Sequence, residues 1–255
     1  MRIVFALGLL VVSLLSGSFG YAAEWGDLKL TFVYDGTAPV ATSISVNKDP
    51  QYCGPFGLVD EQLVVNKENG GIANVIAYIY TRTGPKPAVH PDYAATANAK
   101  VVLDNKKCRF EPHVALLRTS QTLVLKNTDA VGHNTNYSTF SNPPQNILIP
   151  SSGQVEKKLT LAERLPAKVA CNIHPWMTAW LVVQDTPYAA VSNKNGELVI
   201  KNLPVGKWTF QFWQESGGYV ASVKQDGKAT EWKRGRVEIT IEPGMNDLGE
   251  IKYKP

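Results

Sequence analysis

The sequence predicts an all-β protein built from β-sandwiches. Short stretches in which apolar and polar residues alternate recur along the chain, and Gly, Pro, Asn or Asp bound most of them. Period-two alternation is typical of strands that bury one face. Only "TLAERLPA" (160–167) resembles a helical turn or two. Many short strands separated by polar turns favour sandwiches over helical or α/β folds.

The predicted strands divide into two groups along the chain. Their sequences are "LKLTFVY" (28–34), "ANVIAYIY" (73–80), "QTLVLKN" (121–127), "KWTFQFW" (207–213) and "RVEITIE" (236–242). We predict a boundary near "DTPYAAV" (185–191), because the sequence after it forms a self-contained series of hairpins. The expected organisation is a first domain over 23–185 and a second over 186–255.

The N-terminus predicts export. Arg2 precedes an apolar run of about thirteen residues and then the small-residue stretch "SGSFGYAAEW", which is the pattern of a signal peptide. Cleavage after Ala22 leaves 1–22 as that peptide. The apolar run is shorter than the ~20 residues that span a bilayer, so we expect no membrane insertion after cleavage. The protein is expected in the periplasm or outside the cell.

Composition and the absence of known catalytic motifs limit the classes of function to consider. Hydrophobic residues make up 44% of 255 residues and charged residues 19%, as in an ordinary globular protein. The net charge is +4 without a basic run, so nucleic acid is a poor candidate partner. The sequence contains no G-x-S-x-G, H-E-x-x-H or glycine-rich phosphate loop, and we expect no enzymatic activity.

The sequence contains three cysteines, at positions 53, 108 and 171, of which at most two can form an intramolecular disulfide. In an oxidising compartment two of them can form a disulfide and one is left over. If Cys171 stays free, Cys53 and Cys108 are the candidate pair, although a cysteine count alone cannot fix the connectivity. A lone thiol in such a compartment is prone to oxidation unless burial or a metal protects it.

The stretch "CNIHPWM" (171–177) concentrates metal-binding side chains. Cys171, His174 and Met177 follow one another at intervals of three, after the probable strand "AKVAC". His133, after the strand 121–127, is placed to supply a fourth ligand, and Asn134 next to it could hydrogen-bond to the cysteine loop. Two imidazoles, a thiolate and a weak thioether are the ligands of a type 1 copper site.

These motifs resemble those of the cupredoxins, the blue copper proteins. The similarity covers roughly 100–184, where "GHN" is followed by a short C-x2-H-x2-M loop of the amicyanin-like kind and "F-x-P" matches Phe110 and Pro112. The resemblance implies a Greek-key β-sandwich that binds one type 1 copper. The strands 28–34 and 73–80 would complete this sandwich, and the loop "GPKPAVHPDYAATANA" (84–99) would be an insertion. The second domain is similar to carboxypeptidase regulatory-like, or transthyretin-like, β-sandwiches.

The implied function is outer-sphere transfer of single electrons, with a dehydrogenase, cytochrome or similar redox protein as partner. His174, on the loop nearest the surface, would be the point of electron entry. Four histidines are too few for the copper cluster of a multicopper oxidase. The alternative is a non-redox copper-binding module, used for storage, sensing or structure, in a secreted or surface β-protein.

The remaining histidines and the tryptophans near the loop 171–177 are further candidates. His113 is either a second metal ligand or, more commonly for a histidine at a strand edge, a hydrogen-bonded structural residue. His90, in a Pro-rich loop, is expected to be solvent-exposed. Trp176 covers the metal, lies on the apolar surface around His174 where electrons enter, or packs in the core. Trp180 is expected to be structural.

Overall fold

The computed structural model describes residues 24–255, so the predicted signal peptide lies outside the described residues. Nearly all of the regular structure is strand, which confirms the all-β prediction. A single α-helical turn, α1 (Pro50–Cys53), and short 3-10 segments at 54–56, 91–96 and 233–235 are the exceptions within 24–255. In this range, no helix combines the length and the apolarity needed to cross a bilayer.

The strands of residues 24–255 form four sheets, which pack as two sandwiches. In chain order they are β1 (Trp25–Tyr34), β2 (Ile76–Ile79), β3 (Lys100–Lys106), β4 (Arg109–Glu111), β5 (Val114–Arg118), β6 (Thr122–Asn127), β7 (His133–Ser138), β8 (Gln145–Ile149), β9 (Gln154–Lys157), β10 (Ala167–Ala170), β11 (Thr178–Gln184), β12 (Ala189–Val191), β13 (Glu197–Pro204), β14 (Gly206–Gln214), β15 (Gly218–Tyr219), β16 (Ser222–Gln225), β17 (Lys228–Glu231), β18 (Arg236–Ile241) and β19 (Gly244–Tyr253).

The central sandwich consists of β3 to β11. Its sheets have the strand orders β4-β3-β6-β9 and β5-β11-β10-β7-β8. Alternating apolar residues of both sheets, such as Leu103, Leu125 and Leu181, meet in one buried core. This burial of one face per sheet is what the alternation in the sequence predicts.

The terminal sandwich combines strands from both ends of the described chain. Its sheets have the orders β13-β1-β19-β16-β17 and β12-β2-β14-β15, with β18 added beside β14. Leu28, Leu30 and Phe32 on β1 alternate into its core and meet Phe210 and Phe212 on β14. The predicted strands 28–34, 73–80, 207–213 and 236–242 therefore all belong to this sandwich.

The expected domain membership of the first strands is wrong. β1 pairs with β13 and β19, and β2 lies between β12 and β14, so neither completes the central sandwich. The segment 84–99 is not an insertion within one domain, because it connects β2 in the terminal sandwich to β3 in the central one. Alternation in a sequence identifies which face of a strand is buried but not which strand lies beside it.

Strands at the contact between the two sandwiches, among them β11, bury residues on both faces. Leu181 and Val183 of β11 face the central core, while Trp180 and Val182 pack onto β2 and β14. The rings of Trp180 and Trp213 lie 4.4 Å apart between centroids at this contact. Trp180 is therefore structural, as expected. The prediction that each strand buries one face does not hold for β11 at the contact between the sandwiches.

The helical turn predicted at 160–167 is absent. Pro166 disfavours helical backbone in the residue before it. The carboxylate of Glu163 is buried and accepts hydrogen bonds from the backbone N–H groups of 140–142. The segment is an irregular loop that satisfies the polar groups of a neighbouring turn.

One irregular stretch lies over the central sandwich, and we call residues 43–62 the cover segment. A bridge between Ser43 and Val59 closes its base, and α1 lies at its far end. A disulfide joins Cys53 of α1 to Cys108 in the β3–β4 turn, with 5.6 Å between the Cα atoms. This is the pairing considered from the cysteine count, and Cys171 is the remaining, buried thiol.

Candidate metal centre

Three adjacent strands bring the predicted ligands to one end of the central sandwich. β10 pairs with β7 on one side and β11 on the other, and Ala170 at its end lies opposite Asn136 and Thr178. His133 is the first residue of β7, and the loop 171–177 joins β10 to β11. The strand register thus places His133 beside a loop that lies 38 residues later in the chain.

The loop 171–177 is closed by its own backbone. The N–H of Cys171 donates to the carbonyl of Met177 at 3.2 Å, which extends the β10–β11 pairing by one step. The N–H of Met177 donates to the carbonyl of His174 at 2.9 Å. Pro175 and Trp176 occupy the centre of this turn, where the fixed φ of proline suits the first central position. The side chains of Cys171 and His174 consequently point to the same side.

His133, Cys171 and His174 converge on one point. The Sγ atom of Cys171 lies 3.9 Å from Nδ1 of His133 and 3.8 Å from Nδ1 of His174. The candidate ligand atoms of the three residues all lie within 4.8 Å of one another, and all three residues are buried. The structure therefore brings these predicted ligands together.

Each histidine of the centre has a carboxylate on its far nitrogen. Nε2 of His133 lies 2.9 Å from Oδ2 of Asp129, and Nε2 of His174 lies 2.8 Å from Oδ2 of Asp49. A carboxylate accepts the Nε2 proton, so in the neutral form of each histidine it is Nδ1, the nitrogen that faces the thiol, that carries the lone pair. Metal-binding histidines are typically oriented by such a partner.

The two carboxylates were not predicted from the sequence. Asp129 is the easier of the two to predict from the sequence, because it lies four residues before His133. Its other contacts are the backbone N–H of Lys107 and of Cys108 and the hydroxyl of Tyr52. Nothing local in the sequence marks Asp49.

Asn134 joins the start of β7, where His133 lies, to the loop of Cys171 through hydrogen bonds. Its Oδ1 accepts the N–H of Asn172 at 2.7 Å and that of Ile173 at 3.2 Å, and it lies 3.4 Å from the sulfur of Cys171. The N–H of His174 in turn points to that sulfur at 3.4 Å. These contacts fix the position of the thiol without a metal.

Met177 and Trp176 occupy different places at the end of the loop. Met177 is buried in the core of the central sandwich, and its role as an axial ligand stays a prediction. Trp176 is half-buried, with its ring centroid 5.2 Å from that of His174. Its Nε1 donates to the carbonyl of Cys108 at 3.0 Å, so the ring is held against the disulfide.

The electrostatics of the cluster favour a thiolate. Burial raises the pKa of Cys171, but hydrogen bonds from His133 and from backbone N–H groups outweigh it, and the net pKa lies below its ordinary value. Burial lowers the pKa of His133, because it disfavours the charged imidazolium. Hydrogen bonds with Asp129 and Cys171 outweigh burial and raise the pKa to about 8. Burial lowers the pKa of His174, which Asp49 only partly offsets.

His174 is buried, although it was expected at the surface as the point of electron entry. Its side chain is 0% exposed, because Asp49 and the cover segment lie over its outer edge. No local pattern in the sequence indicates this cover, because Asp49 lies 125 residues before His174.

The other two histidines lie outside the centre. His90 is partly buried rather than exposed, with its ring 4.7 Å from that of Trp25, and its Nδ1 accepts the N–H of Asp92. His113 contacts Glu215 through Nε2 at 2.6 Å.

The donor set fits a soft or borderline transition metal. A thiolate and two neutral imidazole Nδ1 atoms are ligands of copper and zinc, and a thioether nearby favours copper. A second cluster of His133, Asp129 and Cys108 does not fit a metal, because the sulfur of Cys108 is engaged in the disulfide.

Comparisons with known proteins return cupredoxin structures. A purple cupredoxin from Nitrosopumilus maritimus is 18% identical and matches 34% of this chain and all of its own, with a TM-score of 0.28. A variant of amicyanin in its reduced Cu(I) form is 21% identical over 42% of this chain and 98% of its own, with a TM-score of 0.31. A copper-containing nitrite reductase from Thermus scotoductus is 18% identical over 40% of this chain and 24% of its own, with a TM-score of 0.30. No protein-family model and no curated protein sequence matches.

Proposed function

We propose that the protein is an exported electron carrier that binds one type 1 copper through His133, Cys171, His174 and Met177. The observation that carries this proposal is the convergence of Cys171 Sγ and two imidazole Nδ1 atoms in a fully buried cluster. Copper bound there supplies one-electron chemistry through its Cu(I) and Cu(II) states.

The protein contributes a fixed environment. Asp129 and Asp49 hold the rings of His133 and His174, and Asn134 holds the loop of Cys171. Because neighbours fix His133, Cys171 and His174, these three side chains need to move little between two metal oxidation states. Burial and hydrogen bonds at the sulfur tune the potential of such a site.

In this proposal Trp176 is the route of electron entry. His174 is covered, whereas the half-buried Trp176 ring lies 5.2 Å from it and reaches the surface beside the cover segment. The redox partner, a dehydrogenase, cytochrome or similar protein, would dock near this ring. The site is assigned to electron transfer rather than to an enzymatic reaction.

Optical spectroscopy tests the proposal. Addition of Cu(II) to the purified chain should produce an intense visible thiolate-to-copper band that a mild reductant bleaches reversibly. Cys171→Ser should remove the band, and His90→Gln, outside the centre, should retain it. A band that persists in Cys171→Ser would show that Cys171 is not a ligand.

The cover over His174 favours the second candidate, a closed copper-binding module without redox function. The segment that carries Asp49 is tied down by the Cys53–Cys108 disulfide, which restricts access to the ligands. Tight copper binding without a reversible change of oxidation state would support this candidate against the carrier.

A further inference from the structure

A second polar cluster lies where three parts of the chain meet. Glu61 belongs to the cover segment, His113 precedes β5 in the central sandwich, and Glu215 follows β14 in the terminal sandwich. All three line a cavity of about 70 Å³, large enough for one or two water molecules or a small cation. None of these residues belongs to the copper centre.

Glu215 determines which nitrogen of His113 is free. Nε2 of His113 lies 2.6 Å from Oε2 of Glu215, and both side chains are 9% exposed. A carboxylate accepts hydrogen bonds when ionised, so Nε2 carries the proton and Nδ1 presents a lone pair. A histidine oriented by a carboxylate in this way has the arrangement common among metal ligands.

The free nitrogen of His113 is buried without a hydrogen-bond partner within residues 24–255. Nδ1 is enclosed, and the nearest charged group that contacts it is Oε2 of Glu61 at 3.9 Å. This separation is too long for a hydrogen bond. A lone pair and a carboxylate oxygen facing each other repel, and a buried polar atom without a partner costs stability.

The separation of 3.9 Å suits two ligands of one cation. Nitrogen and carboxylate ligands lie about 2.0–2.2 Å from a zinc ion, so two of them are about 3.4 Å apart at the tetrahedral angle and about 4.2 Å apart on opposite sides of the ion. The observed 3.9 Å falls between these limits, at an angle wider than tetrahedral. Arg109 donates to the other oxygen of Glu61, Oε1, at 3.2 Å, which leaves Oε2 directed to His113. With one arginine against two carboxylates, the cluster keeps a negative charge that attracts a cation.

We propose that Nδ1 of His113 and Oε2 of Glu61 bind a divalent first-row transition cation such as Zn²⁺, with water from the cavity completing its coordination. Glu215 positions His113 through Nε2. The cation joins the cover segment to the central sandwich, and Glu215 connects the same histidine to the terminal sandwich.

Zinc titration by calorimetry tests this site. Cys171→Ser is the parent chain, because removal of the thiolate separates the result from that of the copper proposal. We expect one Zn²⁺ equivalent to bind the parent, no binding at this site in Glu61→Gln, and about 10–100-fold weaker binding in Glu215→Gln. His90→Gln is the matched control, since His90 is also a histidine beside an acidic residue; it should bind like the parent.

The outcomes separate the site from adventitious binding. An unchanged isotherm in both Glu61→Gln and His113→Gln would overturn the proposal. The absence of Zn²⁺ binding to the folded parent would also overturn it and would assign the cavity to water. Far-UV circular dichroism verifies the fold of each variant, and Glu61→Gln preserves the test if His113→Gln does not fold. Anomalous scattering from zinc-soaked crystals should place the ion between His113 and Glu61.

Discussion

The carboxylate of Asp49 lies 2.8 Å from Nε2 of His174, although 125 residues separate the two in the chain. The contact orients a proposed copper ligand from a segment outside the central sandwich. Asp49 adopts a left-handed backbone conformation with φ of 44° at the start of α1, which Asp and Asn tolerate better than most residues. Asn is therefore a conservative replacement that keeps the backbone and removes the charge.

We predict that Asp49→Asn weakens Cu(II) binding by about 10–100-fold, the usual effect of losing the hydrogen-bond partner of a ligand histidine. Loss of the carboxylate makes the imidazole of His174 less basic, which weakens its bond to Cu(II) more than its bond to Cu(I). The reduction potential of the bound copper should therefore rise. Competition titration and voltammetry measure the two quantities. Asp92→Asn beside His90 is the control, and equal values for Asp49→Asn and the unmodified chain would contradict the prediction.

The disulfide should stabilise both the fold and the closed state of the proposed copper centre. Cys53 and Cys108 are 55 positions apart, so the double variant Cys53→Ser/Cys108→Ser should lose about 4 kcal/mol of unfolding free energy by chain entropy. It should also release copper faster to a chelator, because the segment that carries Asp49 is freed. Urea unfolding and stopped-flow chelation measure these effects, and an unchanged release rate would show that the cover does not control access.

Sequence reasoning could single out the proposed ligands because most of them are neighbours in the chain. Cys171, His174 and Met177 share one loop, and His133 follows a recognisable strand. The residues that orient the ligands come from distant positions, so a linear pattern does not contain them. Asp49 reaches His174 only because the disulfide and the cover segment fold back onto the central sandwich.

The strands themselves were predictable, but their partners were not. The alternation of Leu28, Leu30 and Phe32 identifies a buried face, and this face is found in the structure. The sequence does not specify that β1 pairs with β13 and β19, which lie at the far end of the chain. Likewise, the interface that buries Trp180 against Trp213 needs two sheets whose relative placement only the folded chain defines.

Replacement of Trp176 tests whether its ring conducts electrons to the proposed copper centre or shields that centre from solvent. We predict that Trp176→Leu slows oxidation of the Cu(I) protein by ferricyanide, because the ring next to His174 is the partly exposed link to the surface. Trp208→Leu, in the terminal sandwich, is the control and should leave the rate unchanged. Faster oxidation in Trp176→Leu would mean that the ring shields the centre and is not the route. Stopped-flow absorbance of the copper band measures both rates.

The buried carboxylate of Glu163 should make stability depend on pH. Burial raises its pKa, but hydrogen bonds from the Asn142 side chain and from the backbone N–H groups of 140–142 outweigh it, and the net pKa is lowered. A carboxyl group whose pKa is lower in the folded state stabilises the protein fully above its unfolded pKa of about 4.3, and the contribution is lost as the pH falls through the folded pKa.

Glu163→Gln should therefore cost about 2–3 kcal/mol at pH 7, in line with hydrogen bonds to a charged group, and less as the pH is lowered below about 4. The matched control is Glu156→Gln, which removes an exposed carboxylate paired with Lys100 and should change stability by less than about 1 kcal/mol. Urea unfolding of the three proteins at several pH values measures the difference. Because protonation of Glu163 removes the same charge that the substitution removes, the two curves must approach each other in acid; a gap that stays constant from pH 7 to pH 3 would assign the loss to packing and not to the carboxylate.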